Sequence, residues 1–376
     1  MEIAPALLEV WLREYYFNTT IDLGCSGVQN FSMGELRELL GFTQTDLDAV
    51  VFNDSQSLGE PGLRGAIARR WADGNYDRVM ATHGSSEGMY LMMHALLRAH
   101  DEVICLEPVY QPLSAIAESI GCLVKPWRLR FERGYVPDIE ELKSLMTRRT
   151  RMVVVNFPHN PTGATITLEQ QQELIDVVEE AGAYLVWDSA FAELVYEQPQ
   201  LPDPGLRYER TITLGTLSKA YGLPGLRVGW CLAPPDVLAR CIHIRDYITL
   251  YLSPLVELIA RKAIEKGDLL LDIRLKQARR NLQLLSAWVN QNGEFVEWVR
   301  PKGGVSAFLR LADVPDVEAF CHQLVQERKV LLVPGSCFNH PSHVRLGFGG
   351  ATSDLEQGLA QVSQLLQEET LLVNYG

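Results

Sequence analysis

The chain has 376 residues, 47% of them hydrophobic, and carries 47 Asp and Glu against 34 Lys and Arg, a net charge of −13. That apolar content excludes a disordered chain, and no uninterrupted apolar run of about 18 residues reads as a membrane span. The acidic balance argues against broad nucleic-acid binding, and the length exceeds what one hydrophobic core usually fills, so two domains are expected.

Residues 1–5 have neither the basic nor the apolar stretch of a secretory signal. The seven cysteines lie at least ten residues apart, with no CxxC and no zinc spacing, which predicts reduced thiols and a cytoplasmic protein. Residues 53–62, rich in Ser, Asp and Gly, predict a loop. Beyond them, short apolar runs alternate with helical patterns. Strands are expected over 79–82, 103–106, 152–156, 184–188, 211–214 and 228–232, and helices over 88–97, 113–119 and 168–180. Such alternation predicts an α/β fold, a mostly parallel sheet flanked by helices. One long amphipathic helix is expected over 253–292. Strand-like pieces at 304–309, 330–333 and 343–346, with a helix near 317–327, form a smaller α+β unit. The expected division is a large domain over 48–270 and a small one from 1–47 plus 271–376.

Four segments carry chemistry. His83-Gly84-Ser85-Ser86-Glu87 joins a strand to a helix, and small residues at a helix N-terminus leave N–H groups for a phosphate. Asn156-Phe157-Pro158-His159-Asn160-Pro161-Thr162-Gly163 follows a strand, at the sheet edge where ligands bind in such folds. Asn160-Pro161-Thr162-Gly163 taken alone is a β-turn. Asp188 closes the apolar strand over 184–187 and needs either a positive partner or a helix to cap. Lys219 sits in a small-residue turn after a strand, with Thr216 and Ser218 beside it and Arg227 eight residues on. A lysine desolvated there stays neutral enough to act as a nucleophile, and the hydroxyls and the arginine suit a phosphate.

Together and in this order, these segments resemble the fold-type I pyridoxal 5′-phosphate (PLP) enzymes of the aspartate aminotransferase superfamily. The resemblance spans nearly the whole chain and implies PLP as cofactor, an amino-acid substrate and a homodimer. It makes Lys219 the lysine that carries the cofactor and Asp188 the partner of its ring nitrogen. Asn160 matches the ligand of the ring's phenolic oxygen, and Tyr110 the aromatic stacked on the ring. Gly84, Ser85, Ser86, Thr216, Ser218 and Arg227 would hold the phosphate. Arg345 and the turn at Gly27 match the groups that grip the substrate carboxylate. Alone, Arg345 would read as a surface residue.

Two positions depart from a plain aminotransferase. Phe191 stands three residues after Asp188, where the family usually has a tyrosine on the phenolic oxygen. Asp54 stands where the family has a tyrosine reaching the partner subunit's phosphate. Segments 22–28, 31–37, 53–59, 83–87 and 155–163 resemble the hydroxy-arginine cyclases, capreomycidine synthase and the enduracididine-forming enzymes of natural-product pathways such as that of guanitoxin. That resemblance implies cyclisation of hydroxy-arginine with loss of water, with Glu9 and Asp54 as candidates to meet the guanidinium. An ordinary aminotransferase is the competing reading. A PLP-fold transcription regulator is disfavoured, because no helix-turn-helix segment precedes the fold.

Overall fold

The computed structural model describes residues 3–312 and 314–375, with side chains described as far as Glu368. Its largest element is a seven-stranded sheet. The strands run in the order Val79–Thr82, Gly229–Leu232, Thr211–Thr216, Tyr184–Asp188, Thr150–Asn156, Glu102–Glu107 and Leu123–Arg128. The last five are mutually parallel, whereas Gly229–Leu232 is antiparallel to both neighbours. The central strands are buried along their length, which is why they read as near-continuous apolar runs.

Successive side chains leave the sheet on opposite faces. Leu214 and Cys231 pack with Met89, Leu238 and Cys241 of helices Gly84–Leu96 and Pro235–Arg245. On the other face, Leu185, Trp187 and Trp230 belong to the larger core with Leu174 and Val178 of helix Leu168–Glu180. That helix starts on a capping box between Thr167 and Gln170, which fixes its entry close to the expected position.

A second, antiparallel sheet runs Val333–Pro334, His343–Gly347, Ser306–Leu311 and Val296–Trp298. Helices Val317–Arg328 and Thr352–Tyr375 accompany it. A parallel pair, Ile21–Asp22 with Val330–Leu331, ties the N-terminal segment to this C-terminal unit.

Several expected elements shift. The helix expected over 253–292 is two, Pro254–Glu265 and Gly267–Gln291, broken at Lys266. The chain turns where Gly267 packs against Tyr221, close enough that a Cβ there would meet its ring at 2.9 Å. The loop expected to reach 62 ends at Glu60, whose carboxylate caps helix Pro61–Trp71 through the Gly62 and Leu63 N–H groups. The edge strand Leu123–Arg128 escapes the apolar pattern because it is half exposed and contains Lys125 and Pro126. Helix Leu7–Tyr15 was not anticipated either. It buries Leu8, Trp11 and Tyr15, and the Trp11 indole donates to Leu332 O at 2.8 Å.

Candidate active site

Three adjacent parallel strands end side by side at Asn156, Asp188 and Thr216, and the chain turns after each. Those turns, the N-terminus of helix Gly84–Leu96, the small-unit strand His343–Gly347 and helix Leu7–Tyr15 enclose a cavity of about 470 Å³. Glu9, Ser85, Ser86, Tyr110, Asn160, Asp188, Phe191, Thr216, Ser218, Lys219, Arg227 and Arg345 all line it.

Lys219 presents a buried amine to this cavity. Its Nζ donates to Ser26 Oγ at 2.9 Å and lies 5.9 Å from the centre of the Phe191 ring. Burial lowers its pKa, overriding Cys25, Glu9 and Asp188, which favour the charged form; Arg345 acts in the same direction as burial. Asp188 is 6% exposed and accepts the Ala190 N–H at 3.0 Å. Burial raises its pKa to about 6 against the pull of that N–H and of Lys219. Such a carboxylate gains most from a cation placed beside it.

Asn156, at the strand end, builds the neighbouring wall. Its amide donates to Asp188 O at 3.0 Å, and its side-chain oxygen accepts the Asn160 N–H at 2.8 Å. The Asn160 side-chain oxygen in turn accepts from Arg345 Nη1 at 3.2 Å, which leaves its Nδ2 as a donor. Arg345 is 1% exposed, and its Nη2 donates to Gly24 O at 2.7 Å. A guanidinium buried this deeply, with no carboxylate among the described residues bonded to it, calls for an anionic ligand. Opposite, the Tyr110 hydroxyl donates to Glu9 Oε1 at 3.1 Å. Burial first, and Glu9 second, raise the tyrosine pKa, so the phenol keeps its proton.

The remaining corner suits a phosphate. Helix Gly84–Leu96 opens with Gly84 in the left-handed region (φ +70), and a Cβ there would sit 2.5 Å from Arg227 Nη2. Arg227 Nη1 lies 3.3 Å from Ser218 Oγ, and Thr216 Oγ1 donates to that oxygen at 2.9 Å. Glu87, one turn into the helix, is occupied elsewhere. Burial opposes its charge, but His83, Arg245 and Thr249 outweigh it and hold its pKa down to about 2. Its negative charge is therefore matched by its own neighbours.

This donor set fits PLP: a buried amine for the aldehyde, a buried carboxylate for a ring N–H, and N–H, hydroxyl and guanidinium donors for the phosphate. Bound there, the cofactor supplies an electron sink for the charge left at a substrate Cα.

Three expected residues are not in the cavity lining: Gly27, Asp54 and Gly84, which sits behind it against Arg227. Gly27 does not line the cavity; its lack of a side chain lets the turn approach Ser218 O, which a Cβ would meet at 3.3 Å. Asp54 lies on an exposed loop, bonded to the Tyr251 hydroxyl, in a separate depression with Glu257 and Arg261. The loop carries it away from the cavity of its own chain. Conversely, Leu8, Leu12, Tyr16, Cys25, Ser26 and Asn156 line the cavity without having been singled out. Ser26 and Asn156 flank segments already marked by Gly27 and Asn160. The residues of the N-terminal helix carry no signal beyond ordinary amphipathic spacing.

Residues 49–362 match the family described as aminotransferase class I and II. Capreomycidine synthase from Streptomyces vinaceus is 45% identical over 368 residues, covering 97% of this chain and 94% of that one. The solved structure of the PLP-dependent cyclase OrfR is 41% identical, covers 98% of both chains and superposes with a TM-score of 0.93. A PLP-dependent aminotransferase from Streptococcus suis reaches the same TM-score at 29% identity, covering 98% of this chain and 99% of its own.

Proposed function

The chain belongs to the class I and II aminotransferase family of PLP enzymes, with capreomycidine synthase as a close relative, and from that premise we propose that it cyclises hydroxy-L-arginine with loss of water. Enduracididine is the favoured product, as in the guanitoxin pathway, and capreomycidine the next. The observation that carries this reading is the pairing in one cavity of a buried guanidinium, Arg345, with a carboxylate, Glu9, on its exposed side. Arg345 suits the α-carboxylate of an amino acid, and Glu9 suits a cationic guanidinium at the other end. The 45% identity to capreomycidine synthase along almost the whole chain supports the same class of reaction.

The residues divide the work as follows. Arg345 and Asn160 fix the carboxylate and so orient the Cα–H bond toward Lys219. Lys219, neutral through burial, takes the α proton and returns protons to neighbouring carbons. The side-chain hydroxyl leaves as water, and a guanidine nitrogen adds to the carbon it left. Addition at Cβ closes a six-membered ring and addition at Cγ a five-membered one. One water is lost and there is no net oxidation. Phe191 presents a bare ring where a tyrosine would present a hydroxyl, and Glu9 keeps the guanidinium close to the reacting carbons.

The reading includes a homodimer, supported by the family resemblance and by exposed Val51, Phe52, Tyr247 and Ile248 on two loops linked through Asp54 and Tyr251. It also takes 48–270 as the cofactor domain and 1–47 plus 271–376 as the small one. The seven-stranded sheet falls wholly within the first. A cytoplasmic location belongs to the same reading, and no helix among the described residues is long and apolar enough to cross a membrane. The competing reading, amino-group transfer to a 2-oxo acid, draws on the likeness to the Streptococcus suis aminotransferase. Mass spectrometry of products from 3- and 4-hydroxy-L-arginine tests the proposal. A product lighter by one water supports it, and chromatographic comparison with authentic capreomycidine and enduracididine gives the ring size, whereas unchanged substrates from both would sink it.

A further inference from the structure

Among the described residues, the Lys219 amine makes its one side-chain hydrogen bond to Ser26, at 2.9 Å. Ser26 is 5% exposed and sits in a segment tied down on every side. Asp22 accepts the Gly24 and Cys25 N–H groups at 2.8 and 3.0 Å. Arg345 Nη2 donates to Gly24 O at 2.7 Å, and the Val28 N–H donates to Lys219 O at 3.1 Å. The hydroxyl is therefore held in a fixed relation both to the carboxylate-binding guanidinium and to the backbone of the lysine itself. The Phe191 ring, centred 5.9 Å from the amine, has no hydroxyl to compete with Ser26.

We propose that Ser26 is a positioning residue: its hydroxyl holds the Lys219 amine, whenever that amine is not bonded to cofactor, with the nitrogen lone pair directed into the cavity. A neutral amine that donates one N–H to Ser26 keeps its lone pair for another partner. That orientation serves the two tasks of a released lysine, taking a proton from substrate and re-forming its bond to the cofactor aldehyde. In the second task nitrogen bonds to the aldehyde carbon, its two protons and the aldehyde oxygen leave as water, and nothing is oxidised. The proposal rests on Lys219 as the cofactor lysine and is independent of whether the enzyme cyclises or transaminates.

Burial favours the neutral amine, as does Arg345, while Cys25, Glu9 and Asp188 favour the ammonium. An acceptor such as Ser26 adds to the second set. Removing it should therefore lower the pH at which the amine becomes reactive while leaving that amine less well aimed.

The test uses full-length protein stripped of cofactor and contains no amino-acid substrate, so failure of the cyclase reading cannot affect it. Capture of PLP is followed by absorbance across neutral to alkaline pH for the parent, Ser26→Ala and Ser26→Thr. The expected result for Ser26→Ala is a plateau rate roughly five- to tenfold lower, the loss of one hydrogen bond, with the midpoint moved to lower pH and an unchanged melting temperature. Ser26→Thr, which keeps the hydroxyl, restores rate and midpoint. With cofactor and substrate present, Ser26→Ala should lower kcat more than it raises KM. Capture by Ser26→Ala at the parental rate and midpoint would overturn the proposal. So would a loss that accompanies a fall in melting temperature and is not restored by threonine.

Discussion

The two halves of the cavity are built differently. The half proposed to hold the cofactor comes from strand ends and the turns that follow them: Asp188, Thr216, Ser218 and Lys219, with the helix N-terminus at Gly84. Its key groups are buried and shifted in pKa by their surroundings. The half proposed to hold the substrate side chain comes from helix Leu7–Tyr15, where Glu9 is exposed and meets the sheet domain through Tyr110. A rigid sheet edge fixes groups whose charge must be controlled, and a surface helix is free to vary the group that meets the substrate. Chemistry should therefore fail when the first half is changed, and specificity when the second is.

Lys219→Ala should have the largest effect, a loss of at least about 10²–10⁴-fold in turnover. The visible absorbance change on adding PLP should vanish with it, and a retained band would remove Lys219 from its assigned role. Arg345→Gln should follow, with KM for the amino acid rising on the order of a hundredfold as a buried guanidinium is lost. Cofactor absorbance should survive that change. Glu9→Gln should reduce kcat/KM for hydroxy-arginine roughly tenfold and leave PLP binding unaltered. A Glu9 variant that cannot bind cofactor would break the division between the halves.

Asp188 offers a test that needs no substrate. Its folded pKa of about 6 lies above the ordinary aspartate value of 3.8, so the folded cofactor-free protein binds more protons than the unfolded chain between those values. Through this group, stability falls as pH rises from about 4 to 6, by up to about 3 kcal/mol. Asp188→Asn should flatten that part of the profile in denaturant titrations of the cofactor-free protein. An unchanged slope would place the carboxylate in a more polar setting than its burial implies. The smallest effect is expected from Phe191→Tyr. It should move the pH midpoint of the cofactor's absorbance downward by about one unit, since the new hydroxyl can donate to the phenolic oxygen.

The sheet-edge half was largely legible in the sequence because each of its groups sits at a strand end marked by local punctuation. Asn160 lies in Asn-Pro-Thr-Gly, Lys219 in Ser-Lys before Gly222 and Pro224, and Asp188 at the end of an apolar run. Four of the five parallel strands were legible as buried apolar runs, and the half-exposed edge strand Leu123–Arg128 was not. The antiparallel direction of Gly229–Leu232 was not, because an apolar run carries no sign of its direction. Contacts between distant segments were also out of reach. Ser26 meets Lys219 across 193 positions and Glu9 meets Tyr110 across 101, so both depend on the folded topology. Asp54, at a position whose family counterpart faces the partner subunit, lies outside the cavity of its own chain, bonded to the Tyr251 hydroxyl.

The most direct test of the central claim is incubation of the PLP-loaded protein with 4-hydroxy-L-arginine in the absence of any 2-oxo acid, with product and cofactor followed together. The account predicts repeated turnover to a cyclic guanidine amino acid lighter than the substrate by one water, with the cofactor spectrum restored after each cycle. A single turnover that stops at the 2-oxo acid of hydroxy-arginine and pyridoxamine phosphate would contradict it.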